Sequence, residues 1–364
     1  MEVFKRFIPI DIVKAIGVFI MILIHVLIMY GSENTIYFNS FSQYVIFIIE
    51  GIGAPVFVFA MGASIVLSKE KGTKPILSRG LKLFLLGYIL NFFKFFLTIR
   101  VFQVFPEALF IETNRTNDFN GLIEFLLIAD ILQFAGIAYV ICSILKKYIE
   151  KIPFLGIFLA IVIFVASPYL YQKDPNYLLS LIYGKGFKVY FALFPWLGFV
   201  LVGMSVGFYI KIFSLKKRLN NLFYIFFIIG FVLYVLGLFS FNFEFKNYFA
   251  TDYYHKPTNI LLMYCGQILL LFSVMYFIHD YLSKSIISFI IFCSKNVTTL
   301  YIFQWVIIYW GWYFVSYQSQ TWQTLFICFL IVSLLTFAMT FLKNYLQKLI
   351  YERRNFRTVV TSKK

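Results

Sequence analysis

Asp11, Lys14 and His25 all fall within the first long apolar run of the chain. An ionisable side chain there costs about 3 kcal/mol unless it has a partner or a task. On an α-helix the eleven steps from Lys14 to His25 rotate by about 1100°, only about 20° off three full turns. Asp11 projects about 40° from His25, so the three share one stripe, which must face the protein interior or a water-filled cavity. Lys14 and His25 are about 16 Å apart along the axis, one near a membrane face and the other in the opposite half. An imidazole titrates near neutrality, and at the end of a polar path it suits proton transfer. Two chemistries follow: a general base for acyl transfer, or a link in proton-coupled transport. The plainer readings are a helix-end ion pair, with Lys14 reaching the interface, and a hydrogen-bonded core histidine.

Other polar residues interrupt later apolar runs: Glu50, Asn91, Glu124, Asp130, Gln133, Gln267, Asn296 and Gln304. Asp130 and Gln133, three apart, share a helix face. Glu50 precedes Gly51-Ile52-Gly53-Ala54-Pro55, which permits close helix approach and a kink. For all of these except Asp130, hydrogen bonding between helices is the simpler role. The stretch Lys69, Lys71, Lys74, Arg79, Lys82 either sets orientation or docks the phosphates of a soluble anion. His255 and His279 stand apart, and no His or Cys spacing matches a metal site. Cys142, Cys265, Cys293 and Cys328 lie in apolar stretches and read as small hydrophobes. Walker, G-x-S-x-G and G-x-G-x-x-G patterns are absent.

The elements that must hold these residues follow from composition. Of 364 residues, 61% are hydrophobic and 13% charged. A soluble domain carries about 25% charge, so this chain cannot cover a water-facing surface. Runs such as 22–29 and 225–239 are apolar on every side, which excludes a β-barrel with a polar lumen. The expectation is an all-α polytopic membrane protein, a bundle of about ten helices. The candidate spans are 9–30, 42–68, 80–103, 121–145, 152–171, 187–210, 220–242, 259–281, 296–316 and 321–342, with 286–293 as a possible separate re-entrant piece. With the N-terminus inside, the inner segments hold 23 Lys and Arg and the outer ones 8, Lys14 completing the 32. That bias predicts both termini in the cytoplasm and places the chain in the cell (plasma or inner) membrane. It also accounts for the net charge of +16 without nucleic acid. The first span has no small-residue cleavage site after it and reads as retained. Residues 1–345 read as one transmembrane domain. Residues 346–364, with Arg353, Arg354, Arg357, Lys363 and Lys364, read as a basic cytoplasmic tail that meets lipid headgroups.

Ile10-Asp11-Ile12-Val13-Lys14-Ala15-Ile16-Gly17, with His25 eleven residues after Lys14, resembles the first span of the acyltransferase-3 family, which has Arg where this chain has Lys. Later segments are more similar to the heparan-α-glucosaminide N-acetyltransferase catalytic domain and its bacterial relatives. They are Gly53 to Gly62, Arg79-Gly80-Leu81-Lys82, Asp130 to Gly136, Phe194-Pro195-Trp196-Leu197-Gly198 with Gly203-Met204, and Asn296 to Tyr301, in order along the chain.

The resemblance implies an acyl-CoA-dependent O- or N-acyltransferase. Acetyl-CoA is the donor, bound from the cytoplasm, and a sugar or other hydroxyl or amine acceptor enters from the outer side. Its histidine maps onto His25, as base or as transient acyl carrier. Asp130 joins His25 as a catalytic candidate and, with Gln133, orients the histidine or the acceptor. Lys14, Arg79 and Lys82 are the candidates for the cofactor, and Asp11, Glu50, Asn91, Gln133, Asn296 and Gln304 for support. No metal is expected. Membrane lipids are the other partners, and a homo-oligomer is compatible with the sequence. The alternative is a proton-coupled transporter or flippase using His25 and Asp130; a purely structural scaffold would tolerate loss of the Asp11/Lys14/His25 stripe.

Overall fold

Backbone groups in hydrocarbon have no water to bond, so each apolar run closes its hydrogen bonds within a helix. The computed structural model describes residues 6–37, 39–69, 72–171, 176–184, 188–242 and 244–361. Lys71, Lys363 and Lys364 lie outside them, as do the side chains of Arg353, Arg354 and Arg357. Ten long helices follow one another: α1 (Ile8–Tyr30), α2 (Ser40–Leu67), α3 (Thr73–Val101), α4 (Ile131–Lys151), α5 (Phe154–Leu170), α6 (Leu193–Leu215), α7 (Leu219–Ser240), α8 (Thr258–Tyr281), α9 (Lys284–Tyr313) and α10 (Trp322–Thr361). Among the described residues nine are long and apolar enough to cross a membrane, and α5, with 17 residues, is shorter. The protein is all-α and polytopic.

Side-chain contacts orient the ends. Ser294 donates to Asp11 at 2.5 Å, Asn344 to Asn296 at 3.0 Å and Lys343 to Thr299 at 2.7 Å. The starts of α1 and α9 and residues 343–344 of α10 therefore share one end of the bundle, the terminal face. At the other end, the distal face, the amide of Ser32 donates to the Gln320 carbonyl and that of Gln320 to the Tyr30 carbonyl.

Four boundaries differ from the sequence expectation. Helix α3 begins at Thr73 rather than residue 80, so Lys74, Arg79 and Lys82 stand on its first turns and not in a loop. The expected span 121–145 is broken: a short helix Phe119–Leu126 ends, and α4 starts only after Asp130. Residues 284–310 are one continuous helix, without a re-entrant break at 286–293. Helix α10 continues past the expected end at residue 342 to Thr361. At Gly53, before Pro55, α2 breaks, its φ and ψ (−80°, −104°) lying outside the helical well.

Helix α6 is the axis of the bundle: 83% of its most apolar window is buried, against 28% for α7. Without a hydrophobic drive between helices in lipid, tight association needs small residues that let backbones touch. A Cβ at Gly203 would lie 2.0 Å from the Phe59 carbonyl oxygen, and one at Gly62 2.0 Å from that of Val200. Gly203→Leu is therefore expected to part α2 from α6 and cost about 1–3 kcal/mol or more, read as a lowered melting temperature in detergent. An unchanged midpoint would show that the two helices do not meet as described.

Candidate active site

On α9, Tyr301, Trp305 and Tyr309 recur every four residues and Gln304 is one step before Trp305, so the four project from one side of the helix. That side packs against α1, α3 and the start of α4. The His25 ring stacks on Trp305 with centroids 3.9 Å apart and planes 29° apart. Tyr301 stands edge-on to His25 at 6.2 Å. Gln304 Nε2 lies 3.2 Å from His25 Nδ1.

Lys94 of α3 enters the same cluster. From Phe92 to Val101 the helix bonds one residue further than an α-helix, as in the amide of Phe102 donating to Leu97 O at 2.8 Å. The wider turn is a local feature that recurs at functional positions. Here it buries Lys94, which is 3% exposed, with Nζ 4.3 Å from the Trp305 ring centroid and 4.9 Å from that of Tyr309. Its counter-ion is Asp130, with Nζ 3.7 Å from Oδ2. Tyr301 donates its hydroxyl to the same oxygen at 3.0 Å.

Asp130 can turn Oδ2 to Lys94 because Oδ1 is fixed. It is the N-cap of α4: Oδ1 accepts from the Ile131 amide at 2.7 Å, and Gln133 Oε1 accepts from the Asp130 amide at 3.0 Å, a reciprocal capping box. The break before it is held by Asn91, whose Nδ2 donates to the carbonyls of Leu126 and Ile128 at 3.0 and 2.7 Å. Gln133 Nε2 donates to Ile128 O as well. Near the cluster Tyr190, Phe191, Trp196, Tyr253 and Tyr254 form an aromatic wall, whose Tyr190 and Tyr254 are close enough to Asp130 to feel its charge. Burial, with the nearby Asp130 charge, pushes the Tyr190 phenol up to about 12, so it stays a neutral hydroxyl.

The outer end of the Gln304 amide, away from His25, is buried without a partner among the described residues. A polar group left open beside an imidazole is one that a polar ligand would satisfy.

A family model described as heparan-alpha-glucosaminide N-acetyltransferase, catalytic, matches residues 6–237. The chain belongs to that family. It is thus a membrane acetyltransferase in general terms, and such enzymes use acetyl-CoA as donor. No curated protein matches the chain. The matched stretch of this acetyltransferase contains His25, Lys94 and Asp130; Tyr301, Gln304 and Trp305 lie beyond it.

Of the acetyltransferase's residues singled out in the sequence, His25, Asp130 and Gln304 come together in this cluster. Asn91 and Gln133 stand behind it, holding the break from which Asp130 projects. Asp11 and Lys14 lie at the terminal face and are not paired with each other: Asp11 takes two bonds from Arg6, at 2.7 and 2.8 Å, and Lys14 donates to Ser64 at 2.6 Å. Asp11, Arg6 and Arg79 are all close enough to act on the Lys14 charge. Arg79 is exposed with its guanidinium 4.9 Å from the Tyr139 ring centroid, and Lys82 is exposed beside no other member. Asn296 braces α9 against α10.

Glu50 belongs to a separate cluster, with Lys256 at 3.3 Å and the hydroxyls of Tyr248 and Tyr264. Among the described residues no group of three or more His, Cys, Asp or Glu could hold a metal ion. Sequence reasoning missed Lys94 and Trp305. Lys94 is one of the eight basic residues of the outer segments although the expected span 80–103 contains it; a lone lysine in Phe92-Phe93-Lys94-Phe95-Phe96 is the signal, as is the four-residue recurrence on α9.

Removing the Lys94 charge strands Asp130 in the bundle, and breaking a buried pair costs about 3–5 kcal/mol. Lys94→Met is expected to lower the melting temperature clearly, and the double variant Lys94→Met with Asp130→Asn to lower it less. A loss in the double variant equal to the sum of the Lys94→Met and Asp130→Asn losses would show that the two side chains are not coupled.

Proposed function

We propose that the protein transfers an acyl group, most simply acetyl, from cytoplasmic acyl-CoA to a hydroxyl or amine of a sugar or similar acceptor entering from the outer side of the cell membrane, with His25 as the base. The stacking of His25 on Trp305, beside the unpartnered outer end of the Gln304 amide, carries this reading. The amide ends of Gln304 are isosteric, and the state with Gln304 Oε1 accepting from His25 Nδ1 makes Nδ1 the N–H and leaves the lone pair of His25 Nε2 free. A base of that form takes the acceptor's proton as its oxygen or nitrogen attacks the thioester carbonyl. The C–S bond then breaks, and the imidazolium returns the proton to the departing CoA sulfur. Gln304, Tyr301 and the Lys94–Asp130 pair position the ring and its Trp305 platform.

The donor's anionic phosphates match the cationic set at the terminal face, where Lys14, Arg79 and Arg6 gather. The 23-to-8 excess of basic residues supports placing that face in the cytoplasm. Lys94 belongs to a span, so it leaves the outer count and strengthens the bias. Donor and histidine then approach from opposite ends of α1, about 16 Å apart between Lys14 and His25. That distance is within reach of an extended thioester arm.

General base catalysis contributes about 10²–10⁴-fold. His25→Ala is therefore expected to lower CoA thiol release from acetyl-CoA at least 100-fold in purified protein offered sugar and amine acceptors, with acetyl-CoA binding retained. Retained turnover in that variant contradicts the assignment of His25. No thiol release by the native protein with any acceptor, together with proton-driven substrate uptake in vesicles, is the outcome a transporter gives.

A further inference from the structure

Outside the candidate site, a furrow of about 810 Å³ runs between α3 and α4 on the surface of the bundle. Its floor is the crossing of Gly80 and Gly136, where a Cβ on either glycine would lie within 3 Å of the other's carbonyl oxygen. Helices that close leave a groove rather than a ridge.

The furrow is polar at one end only. Thr73, Lys74 and Ser78 line the terminal-face end, and the rest of the lining is aliphatic, aromatic or glycine. Leu181 closes the far end, carried by the short helix Tyr177–Tyr183, whose Tyr177 hydroxyl meets that of Tyr88 at 2.6 Å. From Thr73 to Phe84 the furrow follows eleven residue steps of helix, about 16 Å. One leaflet of a bilayer has about 15 Å of hydrocarbon, half of the roughly 30 Å core. Lys74 is exposed at the start of α3, and the N-cap, Gly72, brings no side-chain oxygen to the first-turn amides. Positive charge and helix amides both favour an anion there.

From the match between this polarity, this length and the charge at one end, we infer that the furrow is a site for an anionic phospholipid of the terminal-face leaflet. The phosphate meets Lys74 and the start of α3, and an acyl chain lies along the Gly80–Gly136 crossing. Arg79, one residue from Gly80, points instead to Tyr139 and is not among the furrow's lining residues. The lipid site is thus distinct from the cationic set assigned to the acyl donor, and it does not depend on the proposed reaction.

The test is lipid retention. The full chain is reconstituted with equal phosphatidylglycerol and phosphatidylcholine, extracted in mild detergent, and its bound lipids are counted by native mass spectrometry. A basic residue at the membrane surface is worth about 1 kcal/mol, or about a fivefold preference for the anionic lipid. The native protein is expected to retain phosphatidylglycerol by about that factor, and Lys74→Glu to lose the preference while still holding phosphatidylcholine. Ile137→Trp, which fills the furrow, is expected to lower retention of both lipids. Lys74 is exposed, so its variant folds even if the tryptophan does not fit. An unchanged lipid ratio in Lys74→Glu overturns the proposal. So does efficient disulfide cross-linking of Ile137→Cys to a second copy, because that shows another chain covering the furrow.

Discussion

A lysine ammonium inside a helical bundle must find a counter-charge or leave, and the pairing of Lys94 with Asp130 is the interaction around which the centre of this protein is arranged. It requires a carboxylate at mid-bundle that is not itself exposed to lipid. The chain supplies one by breaking a span: the segment before α4 stops at Leu126, Asn91 takes up the freed carbonyls, and Asp130 begins α4 as its cap. It also requires α3 to turn Lys94 inward, which the widened turn from Phe92 accomplishes. Trp305 and Tyr301, fixed by that pair, form the surface on which His25 lies.

The two ends of α1 are then differently equipped. At the terminal face Asp11 is consumed by Arg6 and Ser294, leaving Lys14 as a half-buried cation near Arg79. Toward the distal face His25 has aromatic neighbours and the open end of the Gln304 amide. An anionic donor and a neutral polar acceptor fit these two environments in that order. One helix with one polar stripe can join them.

The fold class was legible in the sequence because hydrocarbon leaves a chain few choices: long apolar runs become helices. The boundaries were less legible where polar residues decide them. Asp130 reads as a mid-span charge when periodicity alone is followed, yet it ends an interruption that only its own side chain and that of Asn91, far back in the chain, make stable. Lys94 was hidden for a related reason, since its burial depends on a local helix geometry with no apolar period to mark it. His25 stood out because charge is so scarce in this chain. Its partners on α9, more than 270 residues later, became visible only through contact.

The central claim is that the acyl group is delivered to His25, and it is tested most directly by an experimental structure with a non-transferable acetyl-CoA analogue, the thioester sulfur being separated from the carbonyl by a methylene. The nucleotide phosphates are expected against Lys14 and Arg79, and the analogue's carbonyl within hydrogen-bonding distance of the His25 ring or the acceptor space beside it. An analogue bound with its carbonyl remote from His25, or with its phosphates at the distal face, would contradict it.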